Sequence, residues 1–368
     1  MRALSRRIPT CCLLLSGLFA GTLSAQAVTV RVDSTRHEVV IEAGPFGIPA
    51  EDPEMLKEMK VGNVAMHHDD EVEVFRFDWP VDGLARGFRL ELRDSAGAPL
   101  PPALLHHLIA INFDRRQFAY SATERLFGAG KEAQQASLPG TLAVPLDLGQ
   151  RLGFYVAWHN ETGQDVTGAT LRIVMSWVPR KAAPRYTAVM PVYLDVNNDV
   201  GGDNTFDIPP GKSSKAFEFQ APVGGRLIAI TGHLHDYGAA LRLEDAETDK
   251  VLVRLPGRRD ADGKILGVAQ KVFLFRPIRL QDGHRYRVVA EYDSPLSHTI
   301  QKGAMGNIDG VFAPDSPLRW PAIDPNDPTF IKDIESLKIV VPSTDAAGNR
   351  RNRTEVFNYG ERAGSRLF

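Results

Sequence analysis

The stretch GFYVAWHNETGQDVTGATLRIVMSWV (153–178) sets two short aromatic and β-branched runs on either side of a polar turn. GFYVAW and TLRIVMSWV have the length and residue types of strands. NETGQDVTG between them supplies the Asn, Gly and Asp that turns need. The same alternation continues in both directions. VTVRV, EVEVFRFDW, GFRLELRD, LIAITGHLH, KVFLFRPIRL and RYRVVAEYD read as strands, and DSAGAPLPP and DADGK as turns between them. One stretch, DPEMLKEMK (52–60), predicts a short helix, with Asp52 as N-cap and Pro53 in the first turn. Many short strands at this spacing predict an all-β chain of two tandem antiparallel β-sandwich domains, jelly-roll-like.

SWVPRKAAPRY (176–186) is a basic, Pro-bracketed linker that divides the strand groups. It predicts a first domain over 28–182 and a second over 183–320. From RWPAIDPNDPTF onward, residues 321–368 read as an extended strap over the second domain, followed by a polar tail.

At the other end, Arg2, Arg6 and Arg7 precede an apolar run, and small residues surround Ala27. This is the pattern of a signal peptide cleaved near Ala27, which predicts a periplasmic or secreted protein with no transmembrane anchor. Cys11 and Cys12, the chain's two cysteines, fall inside that segment. The mature chain is therefore expected to lack disulfides, thiolate ligands and a cysteine nucleophile. Loss of the three arginines moves the net charge from −2 to −5, which argues against nucleic acid as a partner.

Ten histidines remain to be accounted for. In GHLHDYG (232–238), His233 and His235 sit at alternate positions, and residues i and i+2 of a strand share a face. Such a pair suits one metal ion, and equally the polar edge of a strand. In LLHHLIAIN (104–112), His106 and His107 are neighbours in an apolar run. Neighbours on a regular strand point apart, so joint ligation requires a strand end or a bulge. Otherwise one is a core histidine and the other a surface one. His159 closes the strand GFYVAW, and Met305 lies among small residues in SHTIQKGAMGNIDGVF (297–312). A thioether is a soft donor that favours Cu(I). His298 is placed to line a cleft, while Asp236 and Tyr237 either orient the imidazoles or simply form the turn.

The remaining candidates are weaker. AMHHDD (65–70), with His67 and His68, reads as an exposed loop, and DVNNDVGGDNTFD (195–207) lacks the closing Glu of an EF-hand. His37 and His284 read as surface residues. An iron site of the cupin type needs a Glu closer to the HxH pair than Glu244. No GxSxG motif or phosphate-cradling Gly loop stands out.

The order HH, His, HxH, Met across two β domains resembles the copper type II ascorbate-dependent monooxygenases, over roughly 45–315. PFGIPAEDPEM, LLHHLIAIN, YVAWHNETGQDVTGATLRI, FDIPPGK, GHLHDYGAALRLED and SHTIQKGAMGNI each resemble a family segment in that order. The resemblance implies two copper ions per chain. His106, His107 and His159 would hold an electron-transfer copper, and His233, His235 and Met305 the O2-activating one. It also implies hydroxylation of an sp3 C–H bond of an unknown small-molecule or peptide substrate, with O2 and a reductant such as ascorbate. Leu108 stands where the family has Met, and the family's familiar disulfides are missing. In the substrate cleft Thr231 replaces an Arg that binds a substrate carboxylate, and Asn307 is followed by Asp309 where a Tyr is usual. A carboxylate substrate would be repelled there. The alternatives are a non-catalytic copper-handling protein on the same scaffold and a metal-free interaction module.

Overall fold

The computed structural model describes residues 27–54, 56, 72–130, 133–198, 204–273, 275–344 and 350–354. The expected signal peptide, the His67/His68 loop and the tail beyond 354 lie outside the described residues. The chain is all-β, built as two largely antiparallel sandwiches. The opening stretch shows how such a sandwich is made. Arg151–Trp158 lies in one sheet and Val166–Pro179 in the other, so NETGQD carries the chain over the edge between them.

In the first sandwich one sheet runs in the order Ala27–Asp33, Glu38–Ile48, Val166–Pro179, Gly83–Arg93, Leu142–Leu146, Thr187–Ala188. The facing sheet has Leu337–Thr344, Val72–Asp78, Arg151–Trp158, Leu105–Arg116 and Thr123–Gly130 as successive neighbours. Alternate residues of both turn inward, and Phe46, Ile48, Leu108, Phe154 and Leu171 pack between the sheets. Thr187–Ala188 still pairs with the first sandwich, and the second begins at Met190, a few residues beyond the expected boundary.

The second sandwich sets Met190–Asp195, Gly306–Pro314 and Gly225–Leu234 against Gly211–Gln220, Arg285–Ser294, Gly238–Asp245 and Lys250–Arg259. Its core includes Leu227, Leu241, Val288, Tyr292, Ile308 and Phe312. Phe118, from a loop of the first sandwich, is 1% exposed in that same core, and its ring lies 4.8 Å from Phe312. Full burial of such a ring is worth about 1.5–3 kcal/mol, so the loop ties the two halves together.

Residues 321–344 correct the expected strap over the second domain. Asp327 caps a helix, Pro328–Ser336, by accepting from the Thr329 and Phe330 amides. Leu337–Thr344 then pairs in parallel with Val72–Asp78 of the first sandwich. Val74, Ile111, Phe113, Leu337 and Ile339 form a small core on the outer face of that sheet, which is what draws the segment back. Among the described residues no helix is long and apolar enough to cross a membrane.

Candidate metal centres

In the first sandwich the bulge that joint ligation requires is present. Leu105 pairs with Trp158, but the next pair is His107 with Ala157, so His106 is an extra residue in its strand. The two imidazoles consequently lie with ring centroids 4.7 Å apart. His159 follows directly on the neighbouring strand, its amide donating to the Leu104 carbonyl at 3.0 Å. Its ring centroid is 6.3 Å from that of His106, so the three histidines share one end of one sheet.

Both nitrogens of His159 face carboxylates. Nδ1 is 2.5 Å from Glu51 Oε1, and Nε2 is 2.5 Å from Glu161 Oε1. Glu51 is anchored: its amide donates to the Asn160 carbonyl, and the same Oε1 accepts from the Asn160 amide at 3.2 Å. Asn160, 1% exposed, in turn holds the turn by donating to the Ile48 and Gln164 carbonyls. Glu161 is 42% exposed. The arrangement thus has one fixed carboxylate orienting the ring and one at the surface over the other nitrogen. His159 and Glu161 line a cleft of about 230 Å³ together with Lys264 of the second sandwich.

In the second sandwich His233 and His235 project from Gly225–Leu234 and its end, their ring centroids 5.2 Å apart. His233 pairs with Asn307 and Leu234 with Gly306, so His235 and Met305 come next, opposite one another. The approach is close enough that a Cβ on Gly232 would meet the Asn307 carbonyl at 2.3 Å, which explains the glycine before the first histidine. His235 Nδ1 is 3.2 Å from the Gly303 carbonyl. With Nδ1–H donating there, the ring's lone pair is on Nε2.

The same sheet face continues as a polar row. Thr231 pairs with Asp309, which pairs with Tyr193, and Asp195 pairs with Asn307 beside His233. Asn307 Nδ2 donates to Asp309 at 3.0 Å, and the Tyr193 hydroxyl to Asp195 at 2.8 Å. Burial pushes the Asp309 carboxyl up to about 7; the Asn307 hydrogen bond opposes the rise and the Asp195 charge adds to it. Burial likewise pushes Asp195 up to about 6 against hydrogen bonds from the Asn197 amide and Tyr193.

Other expected site residues are placed differently. Asp236 is exposed and accepts from the Ile265 amide at 2.8 Å; Tyr237, at φ 64°, has its amide donating to the Gly263 carbonyl. Both build the turn after the histidines. His298 is exposed in the loop before Ile300–Ala304. Glu51, Glu161, Tyr193, Asp195 and Tyr292 were not singled out from sequence. Glu51 and Glu161 lie in the stretches PFGIPAEDPEM and YVAWHNETGQDVTGATLRI, Asp195 opens DVNNDVGGDNTFD, and Tyr292 lies in the strand RYRVVAEYD, but nothing local in those stretches marks them as site residues.

The candidate donors are three imidazoles in one sandwich and two imidazoles with a thioether in the other, although among the described residues no three His, Cys, Asp or Glu side chains are gathered as a metal-holding group. Both suit copper, the second favouring Cu(I). A histidine whose other nitrogen is held by a carboxylate, as His159 is by Glu51, is the usual setting of a metal-ligating imidazole.

No family model and no curated protein matches the chain. Among solved structures, it is similar to the STIV MCP at 9% identity and TM-score 0.35, covering 66% of this chain and 92% of that one. It is also similar to PNGF-II at 9% and 0.32, covering 78% and 81%. A third is PBCV-1 VP54, at 8% and 0.28, covering 84% and 95%.

Proposed function

We propose that the protein is a copper-dependent monooxygenase that hydroxylates an sp3 C–H bond using O2 and a reductant such as ascorbate. The observation that carries this reading is that the six candidate donors fall into two groups of unlike softness. His106, His107 and His159 meet at one sheet end of the first sandwich through the His106 bulge. The His233 and His235 rings lie 5.2 Å apart at one strand end of the second, and the Met305 backbone adjoins that of His235 at the end of the neighbouring strand.

When bound, copper would supply O2 activation at the thioether site and electron storage at the three-histidine site. The chain's own residues define the rest. Glu51 holds His159 by Nδ1, and the Gly303 carbonyl holds His235 by Nδ1, so each ring is oriented before metal arrives. Copper at His159 Nε2 requires Glu161 to swing aside, which its exposure permits. Thr231, Asn307 and Asp309 form the floor beside the thioether site. With Asp309 and Asp195 there, the floor repels a substrate carboxylate.

The test is copper stoichiometry of wild type beside Met305→Ile, loaded with Cu(I) and with Cu(II), followed by O2 consumption with ascorbate. Two coppers, with the variant selectively weakened for Cu(I), are expected. Copper binding without reductant-dependent O2 consumption on any C–H substrate would favour copper handling, and no binding would remove both readings.

A further inference from the structure

Regular pairing of the two strands that bear the thioether site ends at Leu234 and Gly306. At the next position, where His235 faces Met305, a side chain from the opposite sheet enters. Tyr292 lies on Arg285–Ser294, 1% exposed, with its ring edge-on to Phe206 at 5.7 Å. Its hydroxyl accepts from the His235 amide at 3.2 Å and from the Met305 amide at 3.1 Å, and donates to the Met305 carbonyl at 2.5 Å. One donor and two acceptor sites are all that a phenol has, and all three are used.

We propose that Tyr292 is a positioning residue for the thioether site, its hydroxyl forming an inserted rung that sets how far apart His235 and Met305 stand. The role rests on reading His233, His235 and Met305 as ligands of one metal. A direct antiparallel rung would join the two backbones by their own N–H and C=O groups. The hydroxyl takes both amides instead and keeps the strand ends splayed, so the imidazole and the thioether extend from a fixed gap. Without it the strands can zip by one more pair or separate, and either change moves the sulfur relative to the imidazoles.

The test compares wild type, Tyr292→Phe and Phe206→Leu in the full chain. Amide hydrogen exchange at His235 and Met305 is read without metal, and Cu(I) affinity and copper–sulfur scattering by X-ray absorption with metal. Wild type is expected to protect both amides although the ladder has ended. Tyr292→Phe is expected to expose them, to weaken Cu(I) binding about tenfold or more, and to lose or lengthen the sulfur contact, with the three-histidine site unchanged. Phe206→Leu, which loosens the ring without removing the hydroxyl, is expected to keep the sulfur contact. Fast exchange of both amides in wild type would overturn the rung, even if Tyr292→Phe failed to fold. Intact copper–sulfur scattering in Tyr292→Phe would overturn the positioning role and leave the two-site reading standing. Absence of copper–sulfur scattering from wild type would overturn both.

Discussion

Asp333 Oδ1 meets the Arg125 guanidinium at 2.6 Å, joining the helix Pro328–Ser336 to the strand Thr123–Gly130 of the first sandwich. Asp333 is fully buried, and its other oxygen accepts from both the amide and the hydroxyl of Thr123, each at 2.8 Å. The residues after the second sandwich are thereby locked onto the sheet that carries His106, His107 and His159. Removing one member of a buried pair leaves the other's charge uncompensated, which costs about 3–5 kcal/mol. Asp333→Ala is expected to lower stability by that order in urea unfolding of the whole chain. A loss under about 1 kcal/mol would mean that the helix contributes little to the first sandwich.

On the proposed function, Glu51, which fixes His159 through Nδ1, matters to a metal it does not touch. Glu51→Gln keeps an oxygen acceptor but removes the charge that strengthens the imidazole as a donor. Copper affinity of the three-histidine site is expected to fall about tenfold, with the thioether site unchanged. Competition titrations read both sites. Equal weakening of the two would point to a loss of fold rather than of orientation.

Glu161 makes the opposite prediction. Its carboxylate covers His159 Nε2 and must leave before a metal can bind there. Glu161→Ala is expected to speed copper uptake at the three-histidine site and to raise its affinity. Slower or weaker binding would show that Glu161 is itself a ligand, an oxygen donor that hardens the site.

Most strands were legible because alternation and turn chemistry are local, and the HxH pair because its spacing equals the strand period; KVFLFRPIRL, read as one strand, instead forms the two short strands Lys271–Val272 and Ile278–Leu280. The His106 bulge was legible only as a requirement, since register depends on the partner strand Arg151–Trp158 and not on LLHHLIAIN alone. Tyr292 could not be picked out: in RYRVVAEYD it alternates inward like Tyr286 and Val288, and its special role lies in what the opposite sheet presents to it. The helix Pro328–Ser336 carries the same Asp-Pro start that marked DPEMLKEMK, but the prolines before it made the segment read as a strap. Its return to the first sandwich depends on an apolar outer face formed by Val74, Ile111 and Phe113, which no local pattern reveals.

On the proposed function, the polar row beside His233 predicts which substrates are rejected. A substrate carboxylate at Thr231 would find a hydroxyl and no cation, with Asp309 as the cross-strand neighbour. Asp309 is partly ionised at neutral pH, so the interaction is repulsive. Copper-loaded protein with ascorbate and O2 is expected to leave a glycine-extended peptide unhydroxylated. Product from that peptide would show that the floor does not face the substrate.

Asp309 also gives the fold a pH dependence. Its carboxyl ordinarily titrates at 3.8 and is raised to about 7 in the folded chain. Between those values the folded protein keeps a proton that the unfolded chain has released. Stability from this group is therefore greatest at acid pH, falls as pH rises from about 4 to about 7, and levels off once both states are ionised. Asp195, raised to about 6, acts in the same direction over a narrower window. Asp309→Asn mimics the neutral acid and keeps a partner for Asn307. The wild-type urea midpoint is expected to drop from pH 5 to pH 8, and the variant's to drop less, because only Asp195 of the pair still titrates. A variant whose midpoint follows the wild-type slope across that range would mean that Asp309 is already ionised at pH 5, and that the floor beside Met305 is wetter than its burial implies.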